Sequence, residues 1–198
     1  MCKRILLLVL LLLCTAASVS SQQRTVGFML TSAEAYSGYT LFAPLAAEMV
    51  YLIDEYGEKV HSWQSSYSPG NSCYLLENGH LLYTANTGNT SFQHVGAGGS
   101  VEEYDWDGNL VWEFDYSTET VCQHHDIEYM PNGNILMVAW EHKSRQEAID
   151  NGCDPDLVSQ LGLHPEHIIE VEPFGENEGA VVWEWHVWDH LVQEYDPT

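Results

Sequence analysis

A segment of about fifty residues recurs along the chain, twice in full and once in part, and each copy pairs an apolar strand with a second strand across a glycine turn. In the three copies this first strand pair begins at Val50, Val101 and Ile168 and ends at Trp63, Phe114 and Trp185. A second strand pair completes the first two copies, around the Asn78-Gly79 and Asn132-Gly133 turns. Asn-Gly predicts a two-residue hairpin turn because both residues tolerate positive φ. Two hairpins per repeat predict the four-stranded antiparallel blade of a β-propeller.

The fold class is therefore all-β, with about 2.5 to 3 blades within residues 48–198. A propeller closes only with about four or more blades, so we expect this chain to be the N-terminal part of a longer protein. The third copy follows the second after about twenty extra residues, which places an insertion at 141–164. Its sequence predicts two short helices, over 144–149 and 155–161.

The N-terminus has the layout of a secretory signal peptide over residues 1–21. Lys3-Arg4 precede the apolar run from Ile5 to Leu13, and small residues follow. The run is too short to span a bilayer, so we expect a secreted or periplasmic protein with no stable membrane span. Residues 22–47 are rich in turn residues, which predicts an entry segment or closing strand before the first blade.

The charge balance limits the possible partners. The chain has 29 acidic residues against six Lys and Arg, for a net charge of −23. Nucleic acid and anionic membranes would be repelled at long range. We therefore expect small-molecule partners that are neutral, cationic, or held by a local positive site.

Three cysteines remain beyond the predicted leader, at positions 73, 122 and 153. In an oxidising compartment they allow one disulfide and one free thiol, or an intermolecular bond. The position of Cys122 and Cys153 on either side of a hairpin and the insertion favours that pair.

Two histidine groups are the candidates for chemistry. His124-His125-Asp126 precedes an inner strand, where alternation would place His124 and Asp126 on one side and His125 on the other. Structural histidines bonded to loop carbonyls are the alternative. His186 and His190 could form a metal pair with Asp189, but no further ligand cluster accompanies them, so packing is favoured and no metal is predicted. The recurring tryptophans are expected to pack between blades.

The segments 123–141 and 182–191 resemble the arylsulfotransferase propeller family. The resemblance covers most of the chain from about Met49 onward, and it implies a secreted or periplasmic six-bladed propeller without a nucleotide donor or other cofactor. Such a protein transfers a sulfuryl group from a phenolic sulfate ester to a phenol through a covalent histidine intermediate. By this resemblance, one of His124 and His125 binds sulfate oxygens.

The family's nucleophilic histidine and sulfate-binding arginine are expected in later blades, beyond residue 198. Lys143 and Arg145 in the insertion do not match that arginine, although Arg145, His186 and His190 stay secondary site candidates. Two other interpretations are open. A quinoprotein dehydrogenase shares similar repeats but needs calcium and a stacked quinone, and a non-catalytic binding propeller needs only the fold.

Overall fold

The computed structural model describes residue 30 and residues 32–192. The predicted signal peptide, residues 1–21, lies outside the described residues. The chain divides into two units, residues 1–36 and 37–198. In the first unit the described residues form a turn, in which the amide of Ala35 donates to the carbonyl of Ser32 at 3.1 Å. All strands formed by the described residues lie in the second unit.

The second unit contains three antiparallel sheets. The first has three strands in the order β1 (Thr40–Phe42), β2 (Met49–Ile53), β3 (Lys59–Gln64). The second has the order β4 (Pro69–Leu75), β5 (Leu81–Asn86), β6 (Gly99–Tyr104), β7 (Leu110–Asp115). The third runs β8 (Val121–Tyr129), β9 (Ile135–Glu141), β10 (Glu166–Phe174), β11 (Glu178–His186). The all-β class and the antiparallel blade-like sheets are confirmed.

The sheet boundary falls inside the sequence repeat. The two hairpins of one copy belong to neighbouring sheets, because β5 pairs with β6 from Leu81↔Tyr104 to Asn86↔Gly99. Each four-stranded sheet therefore begins with the Asn-Gly hairpin of one copy and ends with the first hairpin of the next.

The Asn-Gly turns differ in detail from the expected two-residue form. Within these two turns only the glycines have positive φ, 86° at Gly79 and 87° at Gly133, and neither asparagine does. The Asn78 and Asn132 side chains instead accept hydrogen bonds from backbone amides two residues later. This local bond holds the asparagine in ordinary backbone geometry and leaves the glycine alone to reverse the chain.

Both faces of the second sheet are buried between its neighbours. Leu81, Tyr83 and Ala85 pack with Val50, Leu52 and Trp63 of the first sheet. Leu82 points the other way and packs with Ile127, Met137 and other apolar residues of the third sheet. Packing on two faces explains why β5 is buried continuously from Leu81 to Ala85 rather than at alternate residues.

Trp63 and Trp112 each link one sheet to the next, as the repeat predicted. The indole N–H of Trp63 donates to the carbonyl of Asp105 in the second sheet at 2.9 Å. That of Trp112 donates to the carbonyl of Glu178 in the third sheet, also at 2.9 Å. Trp183 and Trp185 differ, because they lie on the outer strand β11 and are 48% and 37% exposed.

The insertion joins β9 to β10 within the third sheet and contains one helix, α1 (Arg145–Asp150). Ser144 and Glu147 form a capping box at its start. The second predicted helix, over 155–161, is wrong, since these residues form turns. Val158 is buried in this segment, but Leu157 and Leu161 are exposed, so a helix there would have only a narrow apolar face to bury.

The predicted Cys122–Cys153 disulfide is also wrong, because Cys73, Cys122 and Cys153 are all free thiols. Cys122 is buried on β8 with Phe92 and Trp140, and its thiol donates to the carbonyl of Gln123. Cys153 lies in the loop after α1, where it is only half-buried. Proximity in sequence to the insertion did not bring the two sulfurs together.

Candidate functional site

The first strands of the second and third sheets, β4 and β8, have the same bulge. In β8, Gln123 pairs with Ala139 and Ile127 with Met137, so His124, His125 and Asp126 oppose a single residue. In β4, the residues between Pro69 and Cys73 oppose a single residue of β5 in the same way. The middle residue of each bulge has positive φ, 98° at Asn71 and 52° at His125. Bulges of this kind redirect side chains and often adjoin functional sites.

The bulge separates the two adjacent histidines. His124 is 3% exposed and stacks on the Trp140 indole, with ring centroids 3.9 Å apart. His125 and Asp126 are both exposed. The expected alternation is therefore wrong, because Asp126 shares the side of His125 rather than that of His124. Left-handed backbone at His125 interrupts the extended geometry on which alternation depends.

The two imidazoles remain in contact through their Nδ1 atoms, which are 2.9 Å apart. Burial, followed by the imidazoles of His125, His167 and His94, lowers the pKa of His124 to about 4. His124 is therefore neutral at pH 7. Since Nδ1 of His125 is occupied by this contact, Nε2 is the nitrogen that remains available to a ligand.

A loop between β5 and β6 supports His125 from the other side. The amide of His125 donates to the carbonyl of Gly96 at 2.8 Å. Gly96 has φ +91°, and a methyl group there would overlap the His125 ring. The same loop contacts the insertion through His94 and His164, whose Nε2 and Nδ1 atoms are 2.6 Å apart. Gly96 thus lets the backbone lie flat against the imidazole.

A cavity of about 500 Å³ opens beside His125. Its walls come from β1, the β4 bulge and the β8 bulge, and they are formed by Leu41, Phe42, Ala43, Asn71, Ser72, Cys73, Tyr74, His125 and Asp126. The hydroxyl of Tyr74 donates to Oδ1 of Asp126 at 2.6 Å. This bond, with smaller effects of burial and of the Asp126 and Glu128 charges, raises the pKa of Tyr74 to about 12. The phenol of Tyr74 therefore stays protonated and links the two bulges.

A second histidine group lies on β10 and β11 of the third sheet, in the same cross-strand row as Gln123. His167 is fully buried and stacks on His186, with ring centroids 4.8 Å apart. The Tyr116 hydroxyl lies 3.0 Å from Nε2 of His167. Glu141 contacts Nδ1 of His186 at 3.2 Å and the Lys143 ammonium at 2.8 Å. This group is a packed polar network rather than part of the His125 cavity.

The remaining candidate site residues, His190 and Arg145, make structural contacts outside the His125 cavity. His190 stacks on the Trp185 indole at 4.9 Å instead of facing a common ion with His186. Arg145 donates from Nη2 to the carbonyl of Pro155 at 2.7 Å, which braces the insertion. Across residues 32–192, no three metal-ligating side chains are grouped to hold an ion.

Sequence patterns alone missed Asn71, Ser72, Tyr74, Gly96 and Trp140. A signal for two of them was present, because Asn71-Ser72 precedes its Asn-Gly turn at the same spacing as His125-Asp126. The positions of Tyr74, Gly96 and Trp140 depend on contacts between strands distant in sequence, which the repeat does not encode.

The buried histidines predict a loss of stability in mild acid. The pKa of His167 is lowered to about 4, mainly by burial and then by the His186 imidazole, and that of His124 to about 4. In the unfolded chain both return to about 6.5, so the unfolded state takes up more protons below that pH. Stability is complete above pH 6.5 and decreases towards pH 4, by about 1.4 kcal/mol per pH unit for each histidine. Urea unfolding at pH 6.5 and 5 measures the slope.

The control for this titration is His167→Phe, which removes one of the two groups and keeps a planar ring. Its slope between pH 6.5 and 5 should be clearly smaller than that of the wild type. An unchanged slope would show that these imidazoles do not govern acid stability.

Comparison with known proteins places the chain in a family. The family model described as Arylsulfotransferase (ASST) matches residues 22–198. The chain belongs to the arylsulfotransferase family. No curated protein sequence matches it. No helix in the described part of this family member is long and apolar enough to cross a membrane.

Among solved structures, one similar chain is a protein of unknown function from Bacteroides caccae. It is 11% identical with a TM-score of 0.35, and the match covers 80% of the arylsulfotransferase-family chain and 61% of the other. The chain thus spans about three fifths of the length of that protein.

Proposed function

We propose that this chain takes part in sulfuryl transfer from a phenolic sulfate ester to a phenol, with His125 binding the sulfate oxygens. Family membership supports the reaction class. The assignment of sulfate binding to His125 is supported by the separation of the two imidazoles. The His124 ring is buried on Trp140, whereas the His125 ring is exposed at the cavity beside β4. His124 then has a positioning role, and His125 contacts the substrate.

The proposed reaction has two steps. A nucleophilic imidazole attacks sulfur, the S–O bond to the donor phenol breaks, and the departing phenoxide takes a proton. The acceptor phenol then loses its proton as its oxygen attacks sulfur and the S–N bond breaks. We place the nucleophile and a sulfate-binding arginine outside residues 1–198.

Within the described cavity, the proposed task is stabilisation of the sulfuryl oxygens. A ring N–H from His125 and the side-chain amide of Asn71 would donate to them as charge develops. Tyr74 is protonated and occupied by Asp126, so we assign it to holding the two bulges at a fixed separation. The reaction is proposed to occur outside the cytoplasm, in a secreted or periplasmic protein.

The test of the proposed activity is phenol-dependent release of 4-nitrophenol from 4-nitrophenyl sulfate, measured on the protein expressed from its complete coding sequence. The proposal predicts that adding a phenol acceptor accelerates release and yields the sulfated acceptor in equal amount. Hydrolysis to free sulfate, or no release at all, would contradict it.

Gly96→Ala should lower this transfer rate by about tenfold or more, because the added methyl group would displace the His125 ring. The matched control is Gly88→Ala in the same loop. Gly88 has φ +73°, and a methyl group added there would meet no atom within 4 Å, so this variant shares the backbone strain without touching the imidazole. Backbone strain should lower the stability of both variants by about 1–2 kcal/mol, and the contact with His125 should add to the loss in Gly96→Ala. Equal activities in the two variants would contradict the assigned role of His125.

A further inference from the structure

A second cavity, of about 670 Å³, lies between the Asn-Gly hairpins that begin the second and third sheets. Its walls are Tyr74 to Asn78 from one hairpin and Glu128 to Pro131 from the other. Leu75, Tyr129 and the Tyr74 ring are 42%, 42% and 38% exposed there. The cavity therefore offers two aromatic rings and aliphatic surface to a ligand.

This cavity continues from the His125 cavity along the same two strands. Tyr74 lines both, and β8 contributes His125 and Asp126 to one and Glu128 to the other. Three residues of extended strand span about 10 Å. A phenol with a two-carbon amine chain measures about 8 Å from hydroxyl to nitrogen, and a hydrogen bond at either end extends its reach by about 3 Å. One small aromatic molecule could therefore reach from His125 into the second cavity.

The charges in the second cavity are all negative. Glu77 and Glu128 are exposed, and within residues 32–192 neither forms an ion pair with Lys, Arg or His. Neither has a side-chain hydrogen bond in that part of the chain, in contrast to Glu103 and Glu141. Two unpaired carboxylates beside two tyrosine rings favour a cation, through charge and through the ring faces. The net charge of −23 adds long-range attraction for the same kind of ligand.

We propose that this second cavity selects a phenol that has a cationic amine, with the amine near Glu77 and Glu128 and the hydroxyl directed towards His125. This inference rests on the proposed sulfuryl transfer, because the bound molecule would be the acceptor in that reaction. Its physical basis is separate, because it depends on the apolar walls and the two carboxylates.

Calorimetric binding of three probes tests the proposal: tyramine, the neutral 4-ethylphenol, and the anionic 3-(4-hydroxyphenyl)propionate. We expect tyramine to bind about tenfold more tightly than 4-ethylphenol, and the anion to bind more weakly than both. Raising the salt concentration should weaken tyramine binding and leave 4-ethylphenol unaffected. Equal affinities for the three probes would overturn the proposal.

Paired substitutions locate the effect. Glu77→Gln with Glu128→Gln should reduce tyramine affinity to the level of 4-ethylphenol and leave 4-ethylphenol binding unchanged. The control is Glu172→Gln, which removes an exposed charge on β10 that lies outside the lining of this cavity. An equal loss of tyramine affinity in Glu172→Gln would overturn the site assignment.

The two proposals fail in different ways. Selective tyramine binding without sulfuryl transfer would contradict the proposed function and leave the cavity assignment standing. Transfer to tyramine and 4-ethylphenol with equal kcat/KM, unchanged in the double variant, would contradict the cavity assignment alone.

Discussion

Trp112→Ala is expected to lower the free energy of unfolding of the 198-residue chain by about 3–5 kcal/mol, the usual range for a buried aromatic residue. Trp112 is 4% exposed and lies in the apolar cluster between the second and third sheets. Its indole N–H also supplies the hydrogen bond to the carbonyl of Glu178. The substitution removes apolar contacts and leaves that carbonyl without its donor. Urea unfolding followed by far-ultraviolet circular dichroism measures the change.

Trp183→Ala is the matched control, because Trp183 comes from the third copy of the same repeat. Its side chain is 48% exposed on β11, so we expect a loss below about 1 kcal/mol. A large loss at Trp183 together with a small loss at Trp112 would contradict the packing of the second sheet against the third. Equal losses of stability at Trp112 and Trp183 would also contradict this packing.

His125→Ala is expected to lower the sulfuryl-transfer rate by about 10²–10³-fold, the effect of removing one donor to a developing oxyanion. Stability should change little, because the His125 side chain is exposed. His124→Phe should keep the stacking on Trp140 but lose the Nδ1 contact, so we expect a smaller loss, of about tenfold. Steady-state kcat/KM with 4-nitrophenyl sulfate measures both variants.

His80→Ala provides the control for loss of an imidazole. His80 lies beside Glu103, with 2.6 Å between Nδ1 and Oε1, and it does not line the His125 cavity. Its removal should leave kcat/KM within about twofold of the wild type. If His80→Ala and His125→Ala lower kcat/KM equally, the assignment of His125 is wrong.

The sequence repeat predicted the antiparallel hairpins because strand alternation and glycine turns are local signals. It did not predict which hairpins share a sheet, since pairing of β5 with β6 spans a long loop and depends on packing against both neighbours. The resemblance to the family was carried by residues 123–141 and 182–191, and the family match confirmed it over residues 22–198.

The arrangement of His124 and His125 could not be predicted from alternation, because one left-handed residue redirects the side chains around it. Comparison of the repeat copies was more informative, since Asn71 has the same place in β4 as His125 in β8. For Cys122 and Cys153, by contrast, position in the sequence was misleading. Their flanking positions suggested a bond, but the burial of Cys122 among Phe92 and Trp140 keeps its sulfur in the sheet.

The role assigned to His125 can be observed directly in a crystal structure of the protein with 4-nitrophenyl sulfate bound. We expect a sulfate oxygen about 3 Å from Nε2 of His125, in the cavity that Asn71 and Tyr74 line, with His124 still stacked on Trp140. A sulfate group bound away from this cavity, or held with the His125 ring turned from it, would contradict the assignment.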